Sequence, residues 1–258
     1  MKQRSVIRAI DILTLLSESL NGLSLNEIVE ATDIPKTTVY EILLMLQEKA
    51  MVQVDESRVR KYQLGVQAFV IGSRFVRNLE LVHTAAPVVD ACSEELGQTV
   101  FLAMLDGHEI IYLYKKEPEN VVIHTESVGN RAEVYCTSLG KAIISSLPDH
   151  ELQSILDKVS YRKRTSRTHT NHNSLKEDLN ECRKRGYAID DREVLDFVYC
   201  VGAPVFDHRG KAVAGISCAG LYSDERDHRS EGGVLKEAAM KLSRRLGFDP
   251  GRKPYGGI

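Results

Sequence analysis

The 258-residue chain has no uninterrupted apolar run of the roughly 18 residues that a membrane-spanning helix needs, so no such span is expected. Lys2, Arg4, Arg8 and Asp11 interrupt the apolar residues of its N-terminus, unlike a secretory signal, and a cytoplasmic protein is the expectation. The five cysteines, Cys92, Cys136, Cys182, Cys200 and Cys218, are odd in number, widely spread and never spaced as C-x-x-C. Neither a disulfide framework nor a zinc ribbon fits that pattern, and reduced thiols are expected. An excess of positive charge is also missing. The formal net charge is −2, which excludes a protein that coats nucleic acid through bulk electrostatics. There is no internal repeat, no low-complexity stretch and no local nucleophile signature. Hydrophobic residues at 43% and charged residues at 27% describe a chain able to bury a core, and its length suits two ordinary domains.

What is present begins with the stretch from Ser24 to Leu46. Ser24 and Glu27 have the spacing of a capping box, opening a helix that turns Leu25, Ile28 and Val29 inward. Asp33-Ile34-Pro35 ends that helix, and Pro35 suits the start of the next, where a missing N–H costs nothing. Val39, Ile42, Leu43 and Leu46 then repeat on one face. Lys36, Thr37, Thr38, Tyr40 and Glu41 fall near the start of the second helix, where a helix-turn-helix places the side chains that meet phosphates and base edges. Any two amphipathic helices joined by a turn share this pattern, so the flanking segments matter. Ser5 to Ser19, with Val6, Ile10, Leu13 and Leu16 in register, predicts a helix ahead of the pair. Met51 to Val54 and Val59 to Leu64, around a polar turn, predict a hairpin with Arg58, Arg60 and Lys61 at and beside its tip. Three helices and such a hairpin make a winged helix, the wing reaching a neighbouring phosphate or minor groove, unless it is simply a solvated hairpin. The first 65 residues carry eight basic against nine acidic side chains, so DNA contact would depend on placement, with Arg4, Lys36 and the Arg58–Lys61 run on one surface.

Residues 66–79 read as a linker helix too apolar to be a free tether, and packing against the same helix of a second subunit is the expectation. From 80 to 250 a second domain is expected, followed by a loose tail over 251–258. It opens with a helix ending at Gly97. Two strands meet at Asp106-Gly107, a strong hairpin signal. A strand is expected at Val121-Val122-Ile123, helices over 138–147, 149–159 and 175–186, a polar loop over 161–173 and a strand at 187–190. A second hairpin surrounds Asp207-His208-Arg209-Gly210, and a last helix spans about 230–246. Pairing Phe206 with Lys211 sets Cys200 opposite Ser217 and Val198 opposite Ala219. The fold class is α+β with a mostly antiparallel sheet.

This order resembles the IclR-type bacterial transcriptional regulators. The resemblance rests on Arg8-Ala9-Ile10-Asp11-Ile12-Leu13, Leu25-Asn26-Glu27-Ile28, Ile34-Pro35-Lys36-Thr37-Thr38-Val39-Tyr40, Tyr62-Gln63-Leu64-Gly65, Ser138-Leu139-Gly140-Lys141-Ala142, Arg185-Gly186-Tyr187-Ala188-Ile189-Asp190-Asp191 and Val201-Gly202-Ala203-Pro204-Val205-Phe206-Asp207. It runs nearly the whole chain. It implies an N-terminal winged helix-turn-helix joined by a linker helix to a C-terminal effector-binding domain of GAF-like fold. It further implies a DNA-binding regulator and not an enzyme, most often a repressor of a catabolic operon. Such a protein would bind a palindromic operator as a dimer or dimer of dimers, under control of a small organic or sugar acid. The sequence departs from the family at Glu41, where an arginine is usual; a carboxylate there repels phosphate but can accept from cytosine N4.

The resemblance also implies a pocket: Asp190, Cys200 and Ser217 as polar contacts beside Ala219, Ala132 and Val134 as apolar walls, and Tyr135, Cys136, Thr137 and Ser138 at the rim. Backbone N–H groups at the helix start near Ser138 suit an anion. Cys200 and Cys218 on apolar strands are equally readable as small core residues. Two other readings are weaker. A Cys/His-dependent enzyme of small-molecule metabolism, pairing Cys136 or Cys200 with a histidine, has no obvious acidic orienter in sequence near His169 and His172. A metal site of Cys136, Cys200 and Asp190 uses a sparse ligand set that spacing cannot establish, and no cofactor is expected.

Overall fold

The structure is a computed structural model describing residues 2–55, 60–77, 80–119, 126–225 and 227–251. Arg58, the strand expected at Val121-Val122-Ile123 and most of the tail lie outside these residues. The chain divides into two compact units, Met1–Asn78 and Leu79–Ile258.

In the first unit, α1 (Lys2–Ser17), α2 (Leu25–Thr32) and α3 (Lys36–Glu48) precede a hairpin of β1 (Val52–Asp55) and β2 (Lys61–Leu64), and α4 (Val66–Arg77) follows. The capping box is formed: Glu27 N–H donates to Ser24 Oγ at 3.3 Å and Ser24 N–H donates to Glu27 Oε2 at 2.7 Å. Asp33 ends α2 in the left-handed region at φ 53°, its N–H donating to Val29 O. Ile28, Ile34, Val39, Ile42, Leu43, Val52 and Tyr62 close the core with Ile12 and Leu16. The first helix is a correction. It starts and ends earlier than Ser5–Ser19, and Val6, Ile7 and Ile10 are exposed while Ile12 is fully buried. Its apolar residues nearly encircle it, so periodicity alone does not choose the inward face. Gly65 joins hairpin to α4 where a Cβ would fall 2.2 Å from Ala50 O, a place only glycine fits.

The second unit comprises α5 (Glu80–Leu96), β3 (Thr99–Asp106), β4 (Glu109–Lys116), β5 (Arg131–Glu133), α6 (Ser138–Ser145), α7 (Asp149–Leu156), α8 (His172–Arg185), β6 (Ala188–Asp191), β7 (Val198–Phe206), β8 (Ala212–Leu221) and α9 (His228–Arg245). The six strands form one antiparallel sheet in the order β5-β4-β3-β8-β7-β6. Helices α6 and α8 pack on one face, and α5 pairs with α9 against the other. The Asp106-Gly107 turn is formed, with Gly107 at φ 66°. The second hairpin pairs two residues away from the expected register: Cys200 faces Ala219, Gly202 faces Ser217 and Val198 faces Leu221. A shift between Val205 and Phe206 closes it, with Asp207 N–H donating to Lys211 O at 2.9 Å. Because side chains alternate with period two, an even displacement keeps Cys200, Ser217 and Ala219 on the same face.

Candidate functional site

On α3 the buried face is Val39, Ile42 and Leu43. Lys36, Thr37, Tyr40 and Glu41 lie exposed, and Thr38 is half-buried at the boundary. Glu41 is one turn from Thr37, so the two share the outer surface. Arg4 is exposed on α1. Arg60 is exposed with its guanidinium 5.7 Å from the Tyr62 ring centroid. Lys61 is half-buried and its Nζ donates to Gly22 O at 3.4 Å, so it ties β2 to the turn ahead of α2.

In the second unit a cavity of about 310 Å³ sits between the sheet and the start of α6. Five adjacent strands each supply its floor: Tyr112 from β4, Phe101 from β3, Ser217 and Ala219 from β8, Cys200 from β7 and Asp190 from β6. Ala132, Thr137, Ser138 and Leu139 make one wall, and Val194, Leu195 and Val198 another. Thr137 caps α6, its Oγ1 accepting from Gly140 N–H at 3.1 Å, which leaves the amides of Ser138 and Leu139 without helical acceptors. The helix can lie this close because a Cβ at Gly202 would come within 2.8 Å of Ser138 O.

Three expected rim or wall residues do not line this cavity. Val134, Tyr135 and Cys136 are fully buried in the core, where Tyr135 Oη donates to Arg162 O at 2.9 Å. They follow β5 in a tight turn into α6 and pack in one core cluster with the floor residues Phe101, Tyr112 and Ala219, so they stand beneath the cavity surface and not on it. Burial pushes the Cys136 thiol up, the opposite of an activated nucleophile. Tyr112, Phe101, Arg164, Val194 and Leu195 went unrecognised, since no local pattern marks a residue that reaches the cavity only through the fold.

The cavity has a definite electrostatic character. Arg164 Nη2 donates to both carboxylate oxygens of Glu133, at 2.6 and 2.8 Å, and Arg131 is engaged by Asp106 at 2.5 Å and Glu109 at 3.3 Å. Asp190 is 3% exposed. Its Oδ1 accepts from Glu193 N–H at 2.7 Å. Burial and the Glu193 carboxylate push Asp190 up to about 7, against the opposing pull of Lys141 and of backbone N–H groups.

Behind the cavity, Lys141 on α6 is completely buried, its Nζ donating to Asp178 Oδ2 at 2.7 Å and to Glu193 Oε1. Burial alone would lower the Lys141 pKa; the two carboxylates outweigh it and hold the ammonium charged. His169 Nε2 lies 3.5 Å from Asp178 Oδ2 and 3.7 Å from Glu193 Oε2. These three are the group of metal-ligand type among the described residues; Cys136, Cys200 and Asp190 do not form one. The Lys141 ammonium already supplies the positive charge there, and a divalent cation would be repelled by it.

Comparison with known proteins adds to this geometry. The family model described as bacterial transcriptional regulator IclR C-terminal matches residues 73–244, and the IclR helix-turn-helix domain matches residues 5–56. The HTH-type transcriptional regulator BhcR of Paracoccus denitrificans is 32% identical, over 95% of this chain and 86% of its own length. The repressor AllR of Salmonella typhimurium is 28% identical over 94% and 90%. The crystal structure of Thermotoga maritima IclR superposes with a TM-score of 0.75 at 31% identity, covering 95% of this chain and all of the other. An Alicyclobacillus acidocaldarius regulator reaches 0.82 at 26% identity, covering 95% and 99%.

Proposed function

Since this chain belongs to the IclR family of transcriptional regulators, whose members are not enzymes, we propose that it is a repressor of a catabolic operon controlled by a small organic or sugar acid. On this reading α3 enters the major groove of a palindromic operator, with Lys36, Thr37, Thr38 and Tyr40 at the duplex and Arg4, Arg60 and Lys61 toward flanking phosphates, Lys61 through the donors its bond to Gly22 O leaves over. The acid occupies the cavity, its carboxylate at the amides of Ser138 and Leu139 and its remaining polar groups toward Asp190, Cys200 and Ser217. The observation that carries the reading is the pairing, in one chain, of an exposed polar start on α3 with a cavity floored by five strands. Self-association to a dimer or dimer of dimers is supported by α4, where Phe69 is 73% and Phe75 59% exposed; a helix so apolar asks for a partner.

Control requires that the acid bind two conformations with unequal affinity. Selection of genomic fragments by gel shift, with and without a panel of metabolite acids, tests the whole reading. A specific fragment released or retained by one acid supports it. Recovery of no specific fragment in either condition sinks the DNA-reading half. Thermal shift against the same panel tests the other half, since an acid at 100 times its Kd stabilises by about 2.7 kcal/mol.

A further inference from the structure

The cavity is poor in free positive charge, which is unexpected for the seat of an acid. Both arginines on its rim are committed, Arg164 to Glu133 and Arg131 to Asp106 and Glu109. The Lys141 ammonium is spent on Asp178 and Glu193 behind the wall. Within the cavity stands a nine-tenths buried carboxylate, Asp190, held by backbone N–H groups and by no cationic side chain among the described residues. A second carboxylate entering the same half-open 310 Å³ would share the site with this buried one, and two carboxylates that share a site do not both stay charged. One of them must take a proton.

We infer that the cavity takes up its acid effector together with one proton from solvent, and that Asp190 is the residue that holds it. This rests on the acid-effector reading above but not on where the carboxylate sits. The groups facing Asp190 set the balance. Glu193, from the turn between β6 and β7, disfavours its charge, while Lys141 from α6 favours it. Tyr112 from β4 and Cys200 from β7 share the floor, Cys136 from the turn before α6 lies in the core beneath it, Glu126 is part of the lining, and the Glu133–Arg164 pair is internally neutral. Protonated Asp190 turns from an acceptor into an O–H donor, so the proton also equips the cavity to hold a carbonyl or carboxylate oxygen. With Asp190 already near neutrality before binding, the effect falls in the physiological range. Operator occupancy would then respond to the acid and to pH jointly.

The test uses the full chain and isothermal titration calorimetry with benzoate and gluconate, and with benzamide and glucitol as neutral counterparts, between pH 6.5 and 8.5. Buffers of different ionisation enthalpy report proton uptake directly. The expected result is uptake approaching one proton per bound acid at the alkaline end, with affinity falling about tenfold per pH unit there. Asp190→Asn should abolish both uptake and pH dependence, and His169→Gln, a change on the far side of the Glu193 carboxylate outside the cavity lining, should preserve them. Acid binding by the wild type with no proton uptake overturns the inference and leaves the acid-effector reading standing. Uptake that survives Asp190→Asn also overturns it. Binding of the neutral compounds but of neither acid overturns the acid-effector reading and the proton with it.

Discussion

The two units solve the problem of presenting a binding surface in opposite ways. The N-terminal unit puts its candidate reading residues on the outside of a single helix, with the core-facing residues of α3 buried beneath them. The C-terminal unit assembles its cavity from residues as distant as Phe101 and Ala219, brought together by the strand order β4-β3-β8-β7-β6. A surface on one helix can change one side chain at a time. A cavity on five strands moves as a whole, because a disturbance of one strand's register displaces every floor residue it carries.

The sharpest way to separate the units is Lys141→Met. It leaves the buried Glu193 carboxylate without its ammonium while the half-buried Asp178 keeps Arg185, and about 3 kcal/mol should be lost from the C-terminal unit. Hydrogen exchange resolved by segment should show protection falling in α6, α8 and β6 while α2 and α3 keep theirs. Next is the pH dependence of stability. Asp190 sits near 7 when folded against an ordinary 3.8, so the folded state holds a proton that the unfolded state has released between those values. Stability therefore falls as pH rises from about 4 to 7, by up to ~4 kcal/mol, the full shift converted. Denaturant melts of wild type and Asp190→Asn across that window should diverge, and parallel curves would remove the argument. Smaller again is Glu41→Arg. With Glu41 on the exposed side of α3, it should change preference at one base pair of the selected operator by about 1–3 kcal/mol, read by competition binding on single-site variants. Unchanged affinity for every operator would mean that Glu41 faces solvent. Smallest is Ser24→Ala, which removes the cap of α2 and should cost about 1 kcal/mol in the N-terminal unit alone, seen as a shift of its unfolding midpoint.

Sequence made the N-terminal unit readable where signals are local: the Ser24–Glu27 cap, the Pro35 start of α3 and the hairpin that follows all depend on residues a few positions apart. It misplaced α1, where Val6, Ile7 and Ile10 offered an apolar stripe as plausible as the one through Ile12 and Leu16 that the core selects. In the C-terminal unit each hairpin was legible from its turn. The β7–β8 register was not: Phe206 meets Ala212 and not Lys211, one step, and the irregularity at Val205 and Phe206 adds the second, and neither leaves a mark in composition. The cavity was half visible. Ala132, Thr137, Ser138, Asp190, Cys200, Ser217 and Ala219 line it, whereas Val134, Tyr135 and Cys136, adjacent in sequence, are turned into the core. Tyr112 and Arg164 carry no local pattern at all. Their membership follows from long-range pairing, which a single sequence does not encode in any one stretch.

Lys141 has a consequence for how the protein reaches its native state. Its ammonium is satisfied only when α6, Asp178 from α8 and Glu193 from the turn after β6 have all arrived, and until then it must keep its water. Stripping that water before both carboxylates are in place is uphill. The wall behind the cavity should thus be among the last parts to close, acting as a checkpoint in assembly.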